Sequence, residues 1–223
     1  MFKSIRQLIN AAIMAGFIAF TGTCVSTNLF AASRPEKWAS PVKAKGIGNF
    51  YKVSDSLYRG KQPKAQGITE LKEMGVKTIV NLRTEDTDKE LFGNTQIGYE
   101  FIPMRAKNPK EADIINFLKI VTNKDKAPVF IHCMRGADRT GLMCAVYRIA
   151  VEGWEKEDAI VEMTKGGYRF SPLCYKLKDY IRNLDIDKIR KEVGIENIPD
   201  QTVTMLELEP ALVTDYFWAA DIS

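Results

Sequence analysis

His132-Cys133-Met134-Arg135-Gly136-Ala137-Asp138-Arg139-Thr140-Gly141 is the stretch of sequence that decides the fold. It follows a short apolar run, Val129 to Ile131, that is typical of a buried strand. It precedes a longer apolar run, Leu142 to Val151, that is typical of a helix and stops near Gly153. The sequence therefore predicts a strand, a loop and a helix in succession. Such a loop directs backbone N–H groups and the positive end of the helix dipole into one space, so we expect an anion site there.

The residue types in this stretch suit the binding and cleavage of a phosphate ester. Cys133 can act as a nucleophile in its thiolate form, because a helix N-terminus and a nearby guanidinium lower the pKa of a thiol. Arg139 presents a planar fork that binds two phosphate oxygens, and the Thr140 hydroxyl can donate to the sulfur when it leaves. We name residues 133–139 the signature loop, a phosphate-binding loop (P-loop). The residues expected to bind the phosphate are Met134, Arg135, Gly136, Ala137, Asp138 and Arg139.

The pattern resembles the signature of the cysteine-dependent protein tyrosine and dual-specificity phosphatases, in which His-Cys is followed by five residues, Arg and then Ser or Thr. The matching positions are His132, Cys133, Gly136, Arg139, Thr140 and Gly141. The segment Ser56–Pro63 is similar to one in compact bacterial, plant and fungal members, with Gly60 where they usually carry serine. The resemblance implies an α/β fold with a central mixed, mostly parallel sheet flanked by helices. It also implies a phosphocysteine intermediate and chemistry that requires no metal or other cofactor.

The sequence departs from the pattern of this family at the position of the general acid. Most members carry an aspartate on a separate loop ahead of the cysteine, but residues 101–110 contain no Asp or Glu. Asp138, directly before Arg139, resembles the Asp-Arg-Thr version of the loop in myotubularin-like lipid phosphatases and some bacterial secreted phosphatases, where the aspartate is the proposed acid. We predict that Asp138 is the acid, with Glu111 and Asp113 as the alternatives.

His132 is predicted not to be the general base for its neighbour. Adjacent side chains leave a strand in opposite directions, so His132 and Cys133 should face opposite sides of the sheet. The family resemblance instead implies that His132 hydrogen-bonds to the loop backbone and helps to keep the cysteine ionised.

Patterns on either side of the signature loop predict the other elements and the domain limits. We place the phosphatase domain at residues 49–190, after a polar linker at 33–48 that contains two prolines, and before a C-terminal extension at 191–223. The polar stretch 83–95 is predicted to be an exposed loop. Strands are predicted at 49–53, 56–59, 76–82, 97–104 and 129–132, and helices at 63–74, 109–121, 142–151, 155–165 and 173–190.

Residues 1–32 are predicted to be a bacterial signal peptide. Lys3 and Arg6 precede an apolar stretch at 8–20, and small residues lie near Ala32. The protein should therefore be exported to the periplasm or secreted, and an uncleaved anchor in the inner membrane is the alternative. Three cysteines remain beyond this segment, too few and too dispersed for a disulfide framework. Either Cys144 or Cys174 could shield Cys133 by a reversible disulfide.

Composition and charge limit the kinds of molecule that the protein is expected to bind. The net charge of +4 over 223 residues is mild and the charges are interspersed, so we expect no nucleic-acid binding, and we expect a monomer. A phosphorylated protein, lipid or inositol is the expected substrate. Arg135, with Lys61, Arg105 and Lys107 nearby, would suit a substrate that carries more than one phosphate.

Two alternative functions start from the same loop. One is a phosphate-binding pseudophosphatase, favoured by the missing upstream aspartate and opposed by intact Cys133 and Arg139. The other is a rhodanese-like sulfur-transfer protein, which also holds a cysteine in an anion cradle. The spacing to Arg139-Thr140-Gly141 and the absence of a Cys-x-x-Cys pair favour the phosphatase.

Overall fold

The computed structural model describes residues 34–89 and 95–195. The predicted signal peptide and all but the first residues of the predicted C-terminal extension lie outside these ranges. Within the described residues, none of the helices combines the length and apolar character that a membrane crossing requires.

Six strands form one mixed sheet in the order β1-β2-β3-β6-β4-β5. The β1–β2 and β2–β3 pairs are antiparallel, and the β3–β6, β6–β4 and β4–β5 pairs are parallel. The predicted mixed, mostly parallel sheet is therefore confirmed, with β6 between two parallel neighbours. The strands are β1 Ser40–Pro41, β2 Tyr51–Lys52, β3 Leu57–Lys61, β4 Thr78–Asn81, β5 Gly98–Phe101 and β6 Val129–Cys133.

The helices agree with the predicted positions except at two places. The helix after the signature loop begins at Asp138 instead of Leu142, so its first turn belongs to the loop. The helix predicted at 173–190 is broken at Leu184 and Asp185, where the Asp185 carboxylate caps a new helix by accepting from the Lys188 N–H at 3.0 Å. The helices are α1 Ala65–Glu73, α2 Glu111–Val121, α3 Asp138–Ala150, α4 Lys156–Lys165, α5 Lys176–Asn183 and α6 Ile186–Val193, with a 3₁₀ turn at Pro172–Cys174.

The sheet buries both faces of its central strands, since every residue of β4 and β6 is buried and most of them are apolar. Phe130 of β6 packs in one cluster with Ile68 and Leu71 of α1. Its neighbours Val129 and Ile131 point the other way and pack in a second cluster. That second cluster contains residues of α2 to α6, so helices cover both faces of the sheet.

The stretch predicted as a linker belongs to the folded body from Arg34 onward. β1 pairs with β2, and Ala39 is buried, with its N–H donating to Glu162 Oε1 at 2.7 Å. Arg34 donates to the Gly166 carbonyl and the Tyr168 hydroxyl. The linker prediction failed because these partners lie more than 100 residues away in the sequence, where local composition carries no information about them.

The buried Arg148–Glu162 ion pair joins this N-terminal strip to the core. Arg148 Nε lies 2.9 Å from Glu162 Oε2, and both side chains are at most 6% exposed. Burial raises the pKa of Glu162, but hydrogen bonds and charge from Arg148, with hydrogen bonds from Ala39 and Tyr168, lower it to a net value below the ordinary range. Glu162 is therefore ionised at neutral pH and depends on Arg148 for compensation.

We predict that Arg148→Met lowers the free energy of unfolding by about 3–5 kcal/mol, because it leaves the Glu162 charge buried without its cation. Urea denaturation at pH 7 measures the change. Arg182→Met is the matched control, since Arg182 pairs with Glu157 on the surface and its loss should change the stability little. Equal destabilisation by both substitutions would contradict the prediction.

Candidate active site

The signature loop lies at the carboxyl end of β6, in the middle of the parallel strands. β6 ends at Cys133 and α3 begins at Asp138, so only four residues connect the strand to the helix. Gly136 has a φ of +66°, and a Cβ at this position would lie 2.4 Å from the Gly60 carbonyl carbon of β3. Only glycine can therefore pack the loop this closely against β3.

Cys133 lies in a cavity of about 490 Å³, which we name the Cys133 cavity. Burial raises the pKa of the thiol, but the Thr140 hydroxyl and N–H, the Arg139 charge and the Arg135 N–H lower it more, so the net pKa lies below the ordinary value. The buried Thr140 Oγ1 meets strict hydrogen-bond geometry with none of the described residues, which leaves its hydroxyl available to the sulfur. The charged, nucleophilic form of the cysteine is thus favoured. The cavity is also lined by Met134, Arg135, Asp138, Arg139 and Cys174, and by residues of 84 and 104–107.

Arg139 is held in place by carbonyl groups of the segments that follow β4 and β5. Its Nη1 donates to the Leu82 carbonyl at 3.2 Å and to the Met104 carbonyl at 3.4 Å. Nη2 and Nε donate to no residue in the described ranges. These N–H groups are free to bind oxygen atoms of an anion in the Cys133 cavity.

Asp138 is fixed on the wall of the same cavity. Its Oδ1 accepts from the Ser171 N–H at 2.7 Å, and its Oδ2 lies 3.5 Å from Arg135 Nη2. The alternative acids do not line the cavity. Glu111 pairs with Lys188 at 2.6 Å, while burial raises the pKa of Asp113 on α2. The structure therefore brings Asp138 together with Cys133 and Arg139, and leaves Glu111 and Asp113 outside.

His132 faces the side of the sheet opposite to Cys133, as strand alternation predicts. Its ring stacks on Phe130 with the centroids 5.7 Å apart, and its Nε2 lies 3.5 Å from Asp88 Oδ2. Burial lowers the pKa of His132 to about 4, although Asp88 and the Cys133 backbone raise it. His132 is thus neutral at pH 7 and supplies no positive charge to the thiolate. Neither ring nitrogen meets strict hydrogen-bond geometry with a described residue, so the hydrogen bond to the loop backbone that the resemblance implied stays a prediction.

Several residues that hold the signature loop in place were not predicted from the sequence. Arg59 is 1% exposed, and its Nη2 donates to the Gly136 carbonyl at 2.9 Å. Its guanidinium lies 3.7 Å from the centre of the Tyr168 ring. The Asn49 side chain donates to the carbonyls of Arg135, Gly136 and Tyr168 at 3.0–3.1 Å. The one available signal was an arginine inside an otherwise strand-like segment of β3.

The stretch predicted as an exposed loop at 83–95 also contributes buried groups. Arg83 and Asp88 are 8% and 1% exposed, and Arg83 Nη1 lies 3.4 Å from Asp88 Oδ1. Gln62 also donates to Asp88. The sequence did not predict this cluster, because a run of polar residues has the same composition whether its charges are buried in pairs or exposed to solvent.

Gly60 replaces the serine usual in similar sequences for a packing reason. A Cβ at Gly60 would lie 2.9 Å from two atoms of the Phe130 ring and 3.1 Å from Ile47. The space that a serine side chain would need is therefore filled by Phe130.

Comparison with known proteins agrees with the fold and with the motif. Residues 41–171 match the family described as "DSP-PTPase phosphatase fused to NAD+ Kinase". The chain belongs to this family and is a cysteine-dependent phosphatase of the dual-specificity type.

The relatives include bacterial and plant phosphatases. Dual specificity protein phosphatase TpbA of Pseudomonas aeruginosa is 32% identical over 185 residues, which cover 82% of this chain and 83% of TpbA. The crystal structure of P. aeruginosa TpbA superposes with a TM-score of 0.65 at 33% identity, over 72% of this chain and 99% of that one. Inositol diphosphatase DSP3 of Arabidopsis thaliana is 27% identical over 158 residues, 64% of this chain and 73% of its own.

We predict that Thr140→Val raises the pKa of Cys133, because the substitution removes the hydroxyl that stabilises the thiolate. The rate of iodoacetamide alkylation of Cys133 as a function of pH, followed by peptide mass spectrometry, measures the change. The midpoint should move to higher pH in Thr140→Val and stay near the wild-type value in Thr140→Ser, which keeps the hydroxyl. An unchanged midpoint in the valine variant would disprove the stabilising role of Thr140.

Proposed function

We propose that the protein hydrolyses phosphate monoesters by nucleophilic attack of the Cys133 thiolate. The observation that carries the proposal is that Cys133, with its lowered pKa, shares one cavity with Arg139 and Asp138. The thiolate attacks phosphorus, so that an S–P bond forms and the bond to the ester oxygen breaks. Arg139 and the N–H groups of the signature loop stabilise the charge on the three equatorial oxygens.

Asp138 is the proton donor in this proposal. Its carboxyl group transfers a proton to the leaving oxygen in the first step and accepts one from the attacking water in the second. The water breaks the S–P bond and releases phosphate, while the Thr140 hydroxyl donates to the departing sulfur. The fixed position of Asp138 on the cavity wall supports this role, and so does the fact that no other acid is among the described residues that line the cavity.

The proposed substrates are phosphotyrosine in proteins and phosphorylated inositols. TpbA is named a dual specificity protein phosphatase and has been crystallised in complex with phosphotyrosine, whereas DSP3 is named an inositol diphosphatase. Membership of this family favours an enzyme over a pseudophosphatase or a sulfur-transfer protein. Export, with either cleavage or membrane anchoring of residues 1–32, and a monomeric state are further proposals that rest on the sequence.

We predict that Cys133→Ser abolishes phosphate release and that Asp138→Asn acts selectively on substrates with poor leaving groups. Turnover of alkyl phosphates should fall by about 10²–10⁴-fold in Asp138→Asn, because an alkoxide needs a proton in order to leave. Turnover of para-nitrophenyl phosphate should change far less, since nitrophenolate leaves without one. Both substrates are assayed with reductant and a metal chelator, beside phosphotyrosine peptides and inositol phosphates.

Asp113→Asn is the matched control, since it removes a carboxylate that lies outside the Cys133 cavity. If Asp113→Asn shows the leaving-group dependence and Asp138→Asn does not, the acid has been misassigned. If the wild-type protein hydrolyses none of these substrates, the enzyme proposal fails.

A further inference from the structure

A second pocket lies beside the signature loop, on the other side of Arg135. It has a volume of about 580 Å³, and its lining includes Tyr51, Lys61, Arg135 and Arg169. Arg135 lines this pocket and the Cys133 cavity as well. We name this second pocket the basic pocket. One side chain therefore separates the two spaces.

The basic pocket has an excess of positive charge that none of the described residues neutralises. Lys61, Arg135 and Arg169 contribute three cations, and none of the described residues that line the pocket is a carboxylate. Within the described ranges, the side chains of Lys61 and Arg169 form no ion pair and no hydrogen bond. The Arg135 side chain is 68% exposed, and the one carboxylate that pairs with it among residues 34–89 and 95–195 is Asp138 at 3.5 Å. Such a pocket attracts anions.

The cations of the basic pocket are presented from a fixed backbone. Asn49 connects two walls of the basic pocket. The Asn49 side-chain amide donates to the carbonyl of Arg135 and to the carbonyl of Tyr168, the residue before Arg169. Asn49 and Arg169 both have left-handed backbone conformations, with φ of 52° and 62°. A non-glycine residue keeps this conformation only where the surroundings hold it in place.

We propose that the basic pocket binds a second phosphate group of the same small molecule whose first phosphate is cleaved at Cys133. The inference rests on the proposed function and names the substrate class, a compact molecule with two or more phosphates. A dianionic phosphate matches three cations better than a single carboxylate does, and its oxygens match the forked donors of Arg135 and Arg169. Because Arg135 borders both spaces, the two phosphates lie about one side chain apart on one molecule.

The test uses alkanediol bisphosphates of increasing chain length as competitive inhibitors of para-nitrophenyl phosphate hydrolysis, each beside the alkyl monophosphate of equal length. The bisphosphate that spans the two spaces should inhibit roughly tenfold more tightly than its monophosphate, an amount typical of charge-assisted hydrogen bonds. Arg169→Gln and Lys61→Gln should each reduce this advantage. The kcat and KM for para-nitrophenyl phosphate should not change, since this substrate has no second phosphate.

Lys72→Gln is the charge-matched control, because Lys72 lies on the exposed surface of α1 and does not line the basic pocket. If Lys72→Gln reduces the bisphosphate advantage equally, the effect is general electrostatics and the proposal is wrong. It is also wrong if both pocket variants keep the full advantage. Two further results would overturn it: tight binding of free inorganic phosphate in the pocket without any bisphosphate advantage, or an effect of the variants on acidic phosphotyrosine peptides alone.

Calorimetric titration of the Cys133→Ser protein with the same compounds separates this inference from the proposed function. Preferential binding of bisphosphates that is lost in Cys133→Ser/Arg169→Gln would support the basic pocket even if the wild-type protein turned over no ester. Equal binding of mono- and bisphosphates would refute the pocket while leaving hydrolysis at Cys133 intact.

Discussion

The contact between the backbones of Gly136 and Gly60 is the constraint on which the site depends. It sets the signature loop directly on β3, at a separation that no side chain at residue 136 would allow. The buried Arg59 guanidinium then binds the Gly136 carbonyl, and Phe130 fills the space beside Gly60. The curvature of the loop is thus determined by the sheet beneath it, before any phosphate arrives. A preorganised cradle of this kind does not need to rearrange during the reaction.

The same arrangement decides how the thiolate is stabilised. Burial alone would keep Cys133 protonated, and the neighbouring histidine is neutral, so the compensation comes from the first turn of α3 and from Arg139. This explains why α3 begins at Asp138 and not at the apolar run. The polar residues 138–140 form the first turn of the helix, where they supply N–H groups, a hydroxyl and a carboxylate to the cavity.

The parts of the fold that the sequence predicted are those with local signals. Alternation placed Cys133 and His132 on opposite faces, and the apolar runs located β6 and α3. The parts that it did not predict depend on distant partners. Arg34 and Ala39 appear as linker residues until Gly166 and Glu162 are brought next to them, and Asp88 appears solvated until Gln62, Arg83 and His132 surround it. Arg59 belongs with these, because a buried arginine has no local signature beyond its own charge.

The proposed acid, Asp138, lies within the signature loop, and this position affects the rest of the site. When the loop itself carries Asp138, the segment at 105–107 is free to present Arg105, Ala106 and Lys107 to the Cys133 cavity instead of an aspartate. Cations then border the Cys133 cavity on this side, while Arg135 borders it on the side of the basic pocket. A carboxylate at 105–107 would oppose an anionic substrate, whereas Asp138 is offset by Arg135 at 3.5 Å and by the Ser171 N–H. The position of the proposed acid and the positive charge around the site are therefore linked, and both agree with the proposed substrate of high negative charge.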